Sequence, residues 1–176
     1  MILRKINAVL GIFTTVMVIV HAISHGVWML TGGSVGINTG NMPWVLFVTM
    51  MMHAVISIVL AILGHKGAEK RKCKSYGNLN VSANIQRASG VLLIVLTILH
   101  VLGASGILVP PQIVHAILLP LFFAVVLMHT AVSTSKAFIT LGIGNASFIR
   151  TADIVTKVIC VVTLIADVAG LYLYLF

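Results

Sequence analysis

Charge is scarce in this chain, at 8% of residues, and the only acids are Glu69, Asp153 and Asp167. None of the three sits at the middle of an apolar run. The two cysteines are no more promising: Cys73 falls in a polar stretch, Cys160 in an apolar one, and neither has the spacing of a metal motif. A zinc centre is therefore not expected, nor is a disulfide between cysteines in such different compartments. The stretch Leu141-Gly-Ile-Gly-Asn-Ala-Ser is too weak to read as a phosphate loop. The sequence also lacks the polar surface of a water-soluble domain, since 60% of its 176 residues are hydrophobic. Its first apolar run is too long for a signal-peptide core and has no small-residue cleavage site, so it reads as retained.

What is present is a series of apolar runs near 6–31, 43–65, 86–106, 112–135 and 150–174. A bilayer crossing takes ~20 apolar residues, so each run is long enough to span. The expected fold is an all-α integral membrane bundle of five transmembrane helices, forming one domain over 1–176. These runs use most of the chain and leave no room for a soluble catalytic domain. Pro43 suits the first turn of the second helix, and Pro110-Pro111 forces a tight turn before the fourth.

The formal charge of +8 could suggest nucleic acid, but the cations are placed otherwise. Arg4 and Lys5 precede the first helix. Lys66, Lys70, Arg71, Lys72, Lys74 and Arg87 lie in or beside the second connection; Lys136, Arg150 and Lys157 flank the fourth. The connections 32–42 and 107–111 carry no charge. The positive-inside rule then puts the N-terminus in the cytoplasm. The basic 66–85 stretch is the expected docking surface for a partner or for anionic lipid, and Trp28 and Trp44 read as interfacial belt residues.

Two repeats organise the runs. Gly11 and His21 recur as Gly90 and His100, seventy-nine residues later with the same spacing of ten. Met52-His53-Ala-Val-Ile-Ser57 recurs as Met128-His129-Thr-Ala-Val-Ser133, with the serine four residues after the histidine and on the same helix face. The first two helices thus read as a parallel duplicate of the next two. Ionisable residues inside a bilayer are rare and mark function. A lone histidine is most simply a hydrogen-bonding residue between helices, but four at duplicated positions suit a six-coordinate b-type haem, which takes an imidazole on each side of its iron.

Depth sorts the four. At ~1.5 Å per residue, His21 lies ~24 Å from Lys5 and His100 ~20 Å from Arg87. By the same measure His53 lies ~20 Å from Lys66 and His129 ~10 Å from Lys136. His21 and His100 form an outer pair and His53 and His129 an inner one, although the depth of His53 leaves another pairing open. His25 and His115 belong near the outer surface, and His65 at the inner end of the second helix. Asp167, ~25 Å from Arg150 along the fifth helix, either reaches the outer headgroups or serves an outer quinone site with His25 and His115.

Five helices with histidines in the first four, Arg87-Ala-Ser-Gly90 opening the third, and His129 followed by a Ser/Thr-rich turn and Lys136 resemble the dihaem cytochrome b membrane anchor of succinate:quinone oxidoreductases, that is, succinate dehydrogenases and quinol:fumarate reductases. The resemblance implies two haem b groups, the outer held by His21 and His100 and the inner by His53 and His129. It implies a place for Arg87 and Ser89 beside a haem propionate or a quinone. It further implies iron–sulfur and flavoprotein partner subunits on the cytoplasmic face of a prokaryotic membrane, with menaquinone or ubiquinone as the redox substrate and a homodimer of complexes as one assembly. Dicarboxylate chemistry would belong to the partner. Some dihaem members carry a glutamate two residues before the fourth-helix ligand; here that position is Leu127, which puts a proton route through it in doubt. Two rivals are a dihaem reductase of the cytochrome b561 kind, or another dehydrogenase anchor, and a haem-free transporter using histidines as a proton relay.

Overall fold

The computed structural model describes the backbone of residues 2–32, 34, 40–69, 77–108 and 112–175, and their side chains except at 65–69, 77–80, 112, 113, 115, 174 and 175. Lys70, Arg71, Lys72, Cys73 and Lys74, and the side chains of His65, Lys66 and His115, lie outside the described residues.

The chain forms α1 (Ile2–Leu30), α2 (Met42–Glu69), α3 (Gly77–Ala104), α4 (Gln112–Leu141) and α5 (Ala146–Leu175), with no strand among the described residues. All five are long and apolar enough to cross a membrane, as the composition leads one to expect. Their boundaries differ from the apolar runs chiefly at the end that carries Arg4, Lys5, Arg87, Lys136 and Arg150, here called the basic end. There α3 starts nine residues before the run at 86, α4 runs on six residues past 135, and α2 continues to Glu69. Hydropathy marks only the embedded part of a helix, while the backbone ladder continues into water until a residue stops it. After α4 that residue is Gly142, in the left-handed region at φ 73°, the usual helix-ending role of glycine. Asn145 then starts α5 by accepting the Phe148 N–H on Oδ1 at 2.9 Å, a capping bond of the kind worth ~1 kcal/mol.

α1 and α4 form the inner pair. α1 packs against α2, α4 and α5, and α4 against α1, α3 and α5, whereas α2 and α3 meet at only a few residues, among them Thr97 and Met50. Many of the buried positions are small or polar: Thr14, Ser24, Ser89, Thr97, Thr130, Thr134 and Thr163. Many apolar side chains, such as Val48, Val55, Ile62, Val91, Val161 and Ile165, point outward, while others, among them Leu46, Leu96 and Leu127, are buried. An apolar exterior suits lipid, where helices associate largely through small residues and interhelical hydrogen bonds. At the end away from the basic residues, Met29, Leu119 and Leu171 make a small closed core with Phe122 and Phe123.

Candidate functional site

The His53 ring reaches from α2 onto α1. Its Nδ1 lies 3.1 Å from the Asn7 carbonyl oxygen, and a Cβ placed on Gly11 would stand 3.0 Å from its Cε1. A carbonyl oxygen only accepts, so Nδ1 carries the proton and Nε2 keeps its lone pair. That is the arrangement of a ligating imidazole, whose remote N–H is tied down to fix tautomer and ring orientation. Asn7 is itself held: its Nδ2 donates to Ser57 Oγ at 3.0 Å, and the Ser57 hydroxyl donates to Oδ1 at 3.3 Å.

His129 reaches from α4 onto α3 in the same way. Its Nδ1 lies 2.9 Å from Ser89 Oγ, and a Cβ on Gly90 would stand 3.3 Å from its Cε1. Ser89 has one hydroxyl proton, which goes to the Gln86 carbonyl at 3.2 Å. The hydroxyl oxygen therefore accepts from His129, and Nε2 is again the nitrogen left with a lone pair. Lys136 braces the arrangement by donating from Nζ to Gln86 Oε1 at 2.9 Å and to the Ser82 carbonyl at 3.3 Å. Interhelical hydrogen bonds in membranes are worth ~0.6 kcal/mol on average, so these contacts aim the rings more than they stabilise the fold.

The contacts of these two rings also settle depth: His53 is level with residues 7–11 of α1, and His129 with residues 86–90 of α3. His21 and His100 stand ten residues beyond Gly11 and Gly90 on those same helices, ~15 Å further from the basic end. The histidines thus form two tiers. In the far tier, the His21 ring centroid is 6.4 Å from that of His25, which is 5.8 Å from that of Trp28. His100 stands 5.1 Å from Phe122. Arg87 is exposed at the basic end, whereas Ser89, at 2% exposure, is occupied with His129.

Asp167 does not reach the headgroups. It is 1% exposed, and neither carboxyl oxygen has a hydrogen-bond partner among the described residues. It faces α1, where a Cβ on Gly26 would come within 2.7 Å of its Oδ1. A charged side chain buried without a partner is costly, and among the described residues nothing offsets it. The other acid of this helix, Asp153, pairs with Lys157 one turn away. The His115 side chain lies outside the described residues, so its place beside Asp167 and His25 rests on sequence depth.

Asn7, Gln86 and Gly26 carry no signal as single residues. Asn7 and Gln86 are nonetheless separated by the same seventy-nine residues as Gly11 and Gly90. Comparison of the chain with family models, curated proteins and solved structures finds no match in any of the three.

Proposed function

We propose that this chain is the dihaem cytochrome b subunit of a prokaryotic cytoplasmic-membrane oxidoreductase, relaying electrons between a membrane quinone and an iron–sulfur and flavin partner of the succinate dehydrogenase or fumarate reductase type. The observation that carries the reading is the matched setting of His53 and His129. Each has its Nδ1 proton engaged on a neighbouring helix, its Nε2 lone pair available, and a glycine under the ring, where an added Cβ would stand 3.0 or 3.3 Å from Cε1 and the ring would have to give by a few tenths of an ångström. Neutral imidazoles in an apolar bundle are the donor set that a six-coordinate b-type iron requires.

On this reading His53 and His129 hold the inner group and His21 and His100 the outer one. A haem held in this way supplies a one-electron relay. The chain's own residues supply the rest: Asn7, Ser57, Ser89 and Gln86 orient the inner imidazoles, and Arg87, exposed at the basic end, is placed to meet a propionate or a quinone. Asp167, His25 and His115 form the candidate outer quinone site. The chain is then the quinone-reactive subunit of an enzyme whose dicarboxylate site lies in its partner.

Absorbance spectra of the purified protein and the identity of what co-purifies test this reading. A reduced b-type spectrum with a bound flavoprotein is expected. The spectrum without a flavoprotein would favour the cytochrome b561 kind of reductase, and no haem at all would leave the histidine proton relay.

The second connection supplies a separate prediction. Its 66–85 stretch carries five of the eleven cations, and the cytoplasmic orientation makes it the docking face. Replacing Lys70, Arg71, Lys72 and Lys74 with Gln is expected to release most of the partner at ordinary salt while haem per chain stays constant. Retention of the partner on an affinity column would remove this stretch from the interface.

A further inference from the structure

The buried face of α5 runs through Cys160, Thr163, Asp167, Gly170 and Leu171, at helical spacing, with the acid in the middle. Opposite it α1 comes unusually close. A Cβ on Gly170 would lie 3.3 Å from the Gly26 carbonyl oxygen and 3.2 Å from Met29 Cβ, and a Cβ on Gly26 would overlap the Asp167 carboxyl. Helix backbones approach this closely in membranes where small residues line the contact. Here the approach encloses a carboxyl group.

We propose that Asp167 is a proton-binding site sealed in the seam between α1 and α5: an uncharged carboxylic acid for which Gly26 makes room, and whose ligand is the proton itself. A carboxylate in that position would need a cation or several donors, and the described surroundings offer neither. The cation of its own helix within the span, Lys157, stands ten residues back and is paired with Asp153. Arg4, Lys5, Arg87, Lys136 and Arg150 are at the basic end. The titratable groups nearest in level are His21 and His25 on α1 and Tyr172 on α5, with His115 on α4 at that end by sequence depth. Met29 and Leu171, both almost fully buried, close the seam beyond the acid. A buried, unpaired acid survives in a fold by carrying its proton. The inference goes beyond the electron-transfer reading, because it needs no haem.

Carbodiimides of different polarity test it on the full-length purified chain in detergent or liposomes. The uncharged acid adds across dicyclohexylcarbodiimide, its proton passing to nitrogen and its oxygen to carbon with no leaving group, so the peptide gains the mass of the whole reagent. Mass spectrometry is expected to show Asp167 labelled about tenfold faster than Asp153 by this apolar reagent, since Asp153 is partly exposed and paired with Lys157. A water-soluble carbodiimide should reverse the order. Gly26→Ala, which pushes on the carboxyl, should lower Asp167 labelling severalfold, while Gly64→Ala, with nothing within 4 Å of the new Cβ, should leave it unchanged. Labelling of Asp167 by the water-soluble reagent as readily as Asp153, silence toward the apolar one, or indifference to Gly26→Ala in a folded protein would overturn the proposal. If Gly26→Ala does not accumulate, the contrast between reagents on the unaltered chain decides alone. Absence of haem from the same preparation would sink the cytochrome reading and leave this result intact.

Discussion

His53→Ala and His129→Ala are each expected to abolish the same haem signal, halving haem per chain and deleting one wave of a redox titration while the other wave persists. The expectation follows from the tier the two rings share. His53 is level with residues 7–11 of α1 and His129 with residues 86–90 of α3, and each presents Nε2 with Nδ1–H spent on α1 or α3. If a haem is held between the two rings, losing either imidazole would remove one of its two protein ligands and weaken its retention. His21→Ala and His100→Ala should delete the remaining wave. If His53→Ala and His129→Ala delete different waves, the tiers do not correspond to haems and the pairing must run across them.

α1 ties the two tiers and the acid together. Its first turns back the His53 ring through Asn7 and Gly11, His21 lies in its far half, and Gly26 one turn further accommodates Asp167. It also packs against three of the other four helices. A shift of α1 along its axis by one turn would therefore disturb all three places at once.

The five helices were legible because apolar length is a composition property that no tertiary contact has to supply. The histidines were legible because the repeat sets Gly11 to His21 beside Gly90 to His100. What the repeat did not disclose is that the glycines belong with the other histidines: Gly11 lies under His53 and Gly90 under His129, each on a neighbouring helix. Sequence spacing measures distance along one helix and says nothing of which residue on the next helix is opposite. The serine four residues after each histidine shows the same limit. Ser57 engages Asn7, whereas Ser133 Oγ is buried without a hydrogen-bond partner among the described residues, and Ser89 of α3 serves His129 instead. Asp167 was legible in depth but not in azimuth, because only the packing of α5 on α1 and α4 reveals which stripe of α5 is inside.

Asp167→Asn is expected to lower quinol turnover per haem at least about tenfold while both haems stay bound and dithionite-reducible, given that positioned acid–base groups contribute ~10²–10⁴-fold. Asparagine keeps the size and neutrality of the protonated side chain, so the seam at Gly26 should close around it as before and the helices should pack unchanged. What it removes is the acidic proton, which an amide N–H does not replace. A buried acid can give its proton to a quinone undergoing reduction and must then regain one, because the charged form has no partner there; reversibility makes the same residue serve quinol oxidation. The site's position supports this use: Gly26 is five residues beyond His21 on α1, ~7 Å along the axis, so a proton held at Asp167 stands near the level of His21. Steady-state quinol oxidation normalised to haem is the deciding measurement. Turnover near that of the unaltered protein, with the carbodiimide contrast intact, would show an acid that holds a proton without passing it to quinone, and would move the quinone site to the basic end beside Arg87.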